Sequence, residues 1–390
     1  MIHAFSEFMF WAAAFCVAYA YIIYPLAIAL IAKSRRQPFV TEPFKGSISI
    51  VMAAHNEEPY IRRRLNELIS LLDASGLDGE IIVVSDGSTD ATVAMASAYP
   101  NPRVHVEVLS ANAGKAAAMT RGCEVARGDI FVFADARQRW SKDALVQMLR
   151  NFNRPEVGAV SGHLVLETDA GLMSGVGLYW RYEKWLRRNE SGVHSTVGVS
   201  GSISAVRRNL FTPMPRGTIL DDVYWPLCVA MRGYRVVHDE AAMAFDKLPS
   251  EARDEFRRKV RTLSGNFQLV RLMPSLLLPW RNCIWLQFVS HKMLRLVVPW
   301  ALIVMLICSA FLTGAFYNWM YLLQLAGYAT GLAGILAGTH LRSRILSAAG
   351  AFLVLNTAAW LAFWVWITGG ANSSWHKIKY EDSVDRASEI

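Results

Sequence analysis

The chain has 390 residues, 53% of them hydrophobic, and a formal net charge of +8. That apolar share is too large for an ordinary soluble domain, and five cysteines at no metal-ligand spacing exclude a disulfide framework and a structural zinc site. Basic residues cluster beside apolar segments, at Lys33, Arg35 and Arg36 and again at Arg253, Arg257, Arg258, Lys259 and Arg261. The pattern fits membrane surfaces and phosphorylated substrates and argues against nucleic acid.

Residues 8–32 form an uncharged run long enough to span a bilayer. The run is too long for a signal-peptide core, and its positive flank, Lys33 to Arg36, follows it. Residues 1–36 are therefore expected to be an anchor with the N-terminus outside and the next domain cytoplasmic. Short apolar runs at 47–54, 80–86, 104–110 and 129–135 alternate with helical patterns at 59–74, 89–99, 115–126 and 141–152. Strand–helix alternation of this length predicts an α/β domain over 45–265 with a mostly parallel sheet, which binds ligands beyond the carboxyl ends of its strands.

The stretch 179–191 carries aromatic and basic residues at helical spacing and is expected to be an amphipathic packing helix. Residues 197–208 read as a glycine-rich strand, and 223–237 as a helix. Residues 266–293 mix apolar stretches with Arg271, Arg281 and Lys292, so a helix lying in the membrane interface is expected. Three further spans are expected near 296–315, 317–338 and 346–368, within a region 294–370. Arg342 and Arg344 assign the last loop to the cytoplasm, which sends the tail 371–390 outside; Lys377, Lys379 and Arg386 argue the other way.

The strand ends hold the chemistry. They carry His55-Asn56-Glu57-Glu58, Ser85-Asp86-Gly87-Ser88-Thr89-Asp90, Asn112-Ala113-Gly114-Lys115 and Asp135-Ala136-Arg137. Each alone is explained by turns, helix caps or a solvated lysine. Four polar strand ends on one side of a sheet are better explained as a site.

These segments, with SIVMAAHNEE, IIVVSDGSTD, NAGKAAAM and FVFADAR in order, resemble the family 2 glycosyltransferases over about residues 47–265. The resemblance implies a GT-A, Rossmann-like fold and inversion at the anomeric carbon. The flanking spans are similar to those of membrane-bound polysaccharide synthases. It implies a nucleotide-sugar donor, UDP-linked by family habit, with Asn56 and Glu57 lining its pocket, Asp86 at the base or ribose, and Lys115 at the nucleotide. Asp135 opens an Asp-x-Asp element that holds a divalent cation, Mg²⁺ or Mn²⁺, but Arg137 stands at its third position. Either Asp135 keeps the metal with water and phosphate oxygens, or Arg137 supplies part of its charge. Thr218 to Asp222 is similar to the family's Thr-Glu-Asp region, which makes Asp222 the expected base and Asp221 a supporting group; the bland alternative is that both cap the next helix. Arg258 to Thr262 aligns with a Gln-x-x-Arg-Trp element that retains only Arg261, placed to neutralise the leaving diphosphate. Thr262 in place of Trp puts processivity in doubt.

The resemblance implies an acceptor that is lipid-linked or a growing polysaccharide, and a multi-pass protein of the inner (plasma) membrane in contact with lipid. A second possibility is a catalytically inactive nucleotide-sugar-binding subunit of a membrane complex.

Overall fold

The computed structural model describes residues 1–35, 42–167, 174–247, 252–337 and 343–370. Arg36, Arg342 and the tail 371–390 lie outside them. The first helix runs as α1 (Ile2–Ala18), a π-turn (Tyr19–Ile23) and α2 (Tyr24–Ser34). Pro25 cannot donate to the carbonyl four residues back, Tyr21. The Tyr182 hydroxyl reaches that carbonyl at 3.3 Å, so the helix is tied to the domain where its own ladder is interrupted.

The domain then alternates β1 (Ser47–Ala54), α3 (Glu58–Ser75), β2 (Asp78–Asp86), α4 (Thr92–Ser97), β3 (Val104–Leu109), α5 (Lys115–Val125) and β4 (Ile130–Asp135). Next come β5 (Arg139–Trp140), α6 (Ala144–Leu149), β6 (Val157–Glu167), α7 (Ser174–Val193), β7 (Ile203–Arg207), α8 (Asp221–Met231) and β8 (Arg235–Lys247). The eight strands form one sheet in the order β3-β2-β1-β4-β7-β6-β8-β5. The first four run parallel. β7 is antiparallel to both neighbours, β6 and β8 are parallel, and β5 is antiparallel to β8. The sheet is therefore mixed, and its parallel half carries the four polar strand ends.

Both faces are covered, which explains the near-continuous apolar runs. Along β1, Ile48, Ile50 and Met52 face a core with Leu65, Leu68 and Leu72 of α3 and Met148 of α6. Val51 and Ala53 face the opposite core, with Met119 of α5, Val223, Trp225 and Leu227 of α8, and Phe288. This is the period-two alternation of a pleated strand.

Two expected elements are shorter than the sequence pattern. The helix read over 223–237 stops at Met231; Gly233 turns the chain with φ +86°, and Arg235 opens β8. The strand read over 197–208 is confined to Ile203–Arg207, because 197–202 approaches the site as irregular chain.

Helix α9 (Ala252–Leu272) runs through the expected boundary at 265/266 and ends two residues before Pro274. The expected single interfacial helix over 266–293 is thus divided. A 3₁₀ turn (Pro274–Leu277) and a loop with exposed Trp280 follow. Then α10 (Trp285–Gln287), a π-turn (Phe288–Met293) and α11 (Leu294–Phe311) form one helix. Helices α12 (Ala315–Ala337) and α13 (Arg344–Ile367) complete the described chain. Four stretches among the described residues are long and apolar enough to cross a membrane: His3–Ser34, Trp285–Phe311, Ala315–Leu336 and Ile345–Ile367.

Candidate active site

The ends of β1 and β2 build one side of the site. Asn56 has φ +56°, an uncommon left-handed backbone for a non-glycine residue. Its side-chain oxygen accepts from the Thr89 amide at 2.8 Å, and its own amide donates to the Ser88 hydroxyl at 3.1 Å. The Glu57 amide donates to Thr92 Oγ1 at 2.8 Å. Asp86 is fully buried, and its carboxylate accepts from the amides of Ala113 at 2.7 Å and Gly114 at 2.9 Å. Each oxygen thus helps to hold the loop before Lys115 and keeps a further acceptor site. Gly87, with φ +65°, passes so close to that loop that a Cβ would lie 2.6 Å from the Asn112 nitrogen. A side chain there would push the two loops apart.

Lys115 is the first residue of α5, and its ammonium stands at the centre of the second side. It donates to Asp135 Oδ1 at 2.6 Å and to the Gly201 carbonyl at 3.4 Å, and lies 3.9 Å from Asp221 Oδ2. Burial works against this charge, but Asp135, Asp221 and Asp222 outweigh it and raise the Lys115 pKa above its usual value. Gly201 makes the approach possible: a Cβ there would sit 3.3 Å from the ammonium and 3.6 Å from the Asp222 Cβ.

Asp221 and Asp222 open α8, but Leu220 is its N-cap and no side chain caps it, so the two carboxylates do not serve as caps. Asp221 is buried, and its Oδ2 has no hydrogen-bond donor. Burial pushes its carboxyl up to about 6; Lys115 opposes the rise, and Asp222 and Asp135 add to it. An ionised carboxylate with an unsatisfied oxygen is costly to bury. The loop leading to these residues is pinned by α9: Gln268 accepts from the Ile219 amide at 2.9 Å and donates to the Gly217 carbonyl at 2.8 Å. Arg261 lies on the same helix, two turns before Gln268, and its Nε is buried without a hydrogen-bond partner.

Arg137 has a partner on β8. Its guanidinium donates to Asp246 on β8 at 2.8 Å, beside Gln138, which donates to the same oxygen at 2.9 Å. Its charge is therefore paired with Asp246 on the neighbouring strand β8. Asp246 belongs to no motif and gave no signal in the sequence. No group of three or more His, Cys, Asp or Glu side chains among the described residues is arranged to hold a metal ion. The described residues alone therefore offer no closed metal cage. Asp135 and the orphaned Asp221 oxygen can supply a hard cation with part of its shell.

The comparisons agree with this architecture. Residues 49–212 match the family described as Glycosyl transferase family 2. Poly-beta-1,6-N-acetyl-D-glucosamine synthase of Staphylococcus aureus is 24% identical over 250 residues, covering 60% of this chain and 58% of that protein. The putative teichuronic acid biosynthesis glycosyltransferase TuaG of Bacillus subtilis is 33% identical over 108 residues, 27% of this chain and 42% of that one. The chain thus spans less than two thirds of the length of these relatives. The mannosyltransferase PcManGT of Pyrobaculum calidifontis, solved with GDP-Man and Mn²⁺, superposes with a TM-score of 0.68 at 21% identity. The match covers 92% of this chain and 99% of that one. Through its strand-end motifs and the sheet that assembles them, the segment 49–212 is similar to glycosyl transferase family 2, and the chain has the GT-A fold.

Proposed function

We propose that the chain is a membrane-bound inverting glycosyltransferase that moves a sugar from a nucleotide-sugar donor to a lipid-linked or growing polysaccharide acceptor. The observation that carries this reading is the grouping of Asp135, Asp221 and Asp222 around Lys115 at the carboxyl end of the parallel strands. Asp222 takes the proton of the acceptor hydroxyl as that oxygen attacks the anomeric carbon. The bond to the nucleoside diphosphate breaks on the opposite face of the sugar, which inverts the centre. Lys115 and Arg261 neutralise the charge that develops on the leaving diphosphate. Asn56, Glu57 and the loops ordered by Asp86 shape the nucleotide side.

A divalent cation fits this site as a partner of Asp135, with donor phosphates and water completing its shell; when bound it adds Lewis-acid neutralisation of the diphosphate. The mannosyltransferase structure with GDP-Man and Mn²⁺ supports that reading. The relatives' names support a polysaccharide acceptor, and the donor base is read as uridine from the same family resemblance. The catalytic domain is assigned to the cytoplasmic side by Lys33 and Arg35 behind the first apolar helix.

The test is release of nucleoside diphosphate by purified protein, offered a panel of nucleotide sugars with Mg²⁺, Mn²⁺ or EDTA. Release from one donor, lost with EDTA, is expected. No release from any donor, even with membrane extract supplying acceptor, would overturn the enzyme reading and leave an inactive binding subunit.

A further inference from the structure

The turn that carries Gly201 is held from outside the charged cluster. Ser200 to Ile203 form a reverse turn, closed by the Ile203 amide donating to the Ser200 carbonyl at 3.2 Å. Its two central carbonyls meet different groups. The Gly201 carbonyl accepts from Lys115 at 3.4 Å, and the Ser202 carbonyl accepts from the Trp140 indole N–H at 3.1 Å. Just before the turn, the Val199 amide donates to the Asp222 carbonyl at 2.9 Å. Ser161 of β6 frames the other end: its hydroxyl accepts from the Ser200 amide at 3.0 Å and donates to the Gly162 carbonyl at 3.1 Å.

Trp140 is itself firmly set. It is 6% exposed, pairs with Ala244 of β8, and donates its amide to Glu67 of α3. The fully buried Arg64 guanidinium lies 4.7 Å from the ring centroid and pairs with Glu67 at 2.9 Å. A cation over an indole face is favourable. The ring belongs to the apolar core on that face of the sheet, where a phenyl ring would also serve the packing. Only the N–H reaches the turn. β7 begins at Ile203, so the Ser202 carbonyl lies just outside the ladder and takes its donor from a side chain.

The turn bears on the site through Lys115. An ammonium has three protons to give. Asp135 takes one at 2.6 Å and Gly201 a second; Asp221 Oδ2, at 3.9 Å, is beyond hydrogen-bond distance. The third proton is left for an incoming phosphate oxygen, and its direction follows from where the other two go.

We propose that Trp140 is a positioning residue for the transfer: its indole N–H holds the 200–203 turn so that the Gly201 carbonyl turns the third proton of Lys115 toward the donor's diphosphate. This rests on Lys115 neutralising the leaving group. Trp140 touches no substrate and acts through the turn.

The test uses the full chain in lipid nanodiscs, with the donor and cation that support release. Trp140→Phe keeps an aromatic ring beside Arg64 and removes the N–H. It is expected to lower kcat about tenfold with the donor KM within about twofold, since charge develops on the diphosphate only as the bond breaks. Its Tm falls by less than about 5 °C. Lys115→Arg keeps the charge but not the ammonium's geometry and slows transfer by itself; adding Trp140→Phe slows it no further. Ser161→Ala loosens the other end of the turn and carries the same expectations should Trp140→Phe not fold. A wild-type kcat in Trp140→Phe, a loss confined to KM, or losses that multiply in the double variant would overturn the proposal. If the wild-type chain turns over no donor, the enzyme reading fails separately. Hydrogen exchange of the peptide 198–205 then tests the hold on the turn. Exchange about tenfold faster in Trp140→Phe supports it, and an unchanged rate overturns it.

Discussion

Two buried ion clusters among the described residues are built on opposite principles. Around Lys115, three carboxylates face one ammonium, and an Asp221 oxygen has no donor. Around His291, Glu183 and Glu190 each meet one ring nitrogen, and Glu183 also meets the Arg295 guanidinium, so each carboxylate has a direct partner. A matched cluster holds elements in place. An unmatched one in a cleft of a sheet stores unfavourable electrostatics that a cationic or proton-donating partner relieves, which is how perturbed groups mark functional sites. On the proposed function, the difference separates the part of the molecule that reacts from the part that seats it on the long apolar helices.

Removing the proposed base is the strongest way to break that division. Asp222→Asn is expected to lower transfer by about 10²–10⁴ while donor binding, read by calorimetry, persists; equal activity would remove Asp222 from its role. Next comes the ammonium itself. Lys115→Met leaves Asp135 and Asp221 facing each other and is expected to cost about 3–5 kcal/mol of stability. Denaturant unfolding measures this, and Asp135→Asn in the same chain should recover part of it.

Relieving the unmatched charge should do the reverse. Asp221 has its carboxyl raised to about 6, above the unfolded value. Its contribution to stability is therefore fully present below about pH 4 and is lost as the pH rises through 6. Asp221→Asn is expected to stabilise the chain by about 2 kcal/mol near pH 7.5, with the gain vanishing toward pH 4; a gain that is flat with pH would contradict the assignment. The smallest effect belongs to Arg137. Arg137→Gln is expected to cost about 1 kcal/mol through Asp246 and to leave the response of donor turnover to EDTA unchanged. A changed metal response would return Arg137 to the diphosphate.

Much of the catalytic domain was legible because local pattern and tertiary role coincide there. Runs such as SISIVMAA are apolar throughout because helices cover both faces of the strand, and such runs read the same in isolation as in the fold. The end of α8 was not legible, since Tyr234 to Val237 continues an apolar pattern that a helix and a buried strand share. Gly233 and the pairing of Arg235 with Val157 decide for the strand. The division of residues 266–293 was not legible for a similar reason. Composition reads as one interfacial helix and carries no sign that Pro274 separates a helix packed on the loop before Asp221 from one that continues into a long apolar helix.

By itself the sequence determined the sheet's parallel half, the four polar strand ends and the apolar helices at both ends of the chain. These depend on short-range periodicity and composition. Only the tertiary structure decided which charges meet. Arg137 finds Asp246 109 residues away, and His291 finds Glu183 and Glu190 at separations of 108 and 101. Electrostatic partnership depends on distance in space, and a chain folded over a mixed sheet brings together residues whose separation in sequence carries no signal.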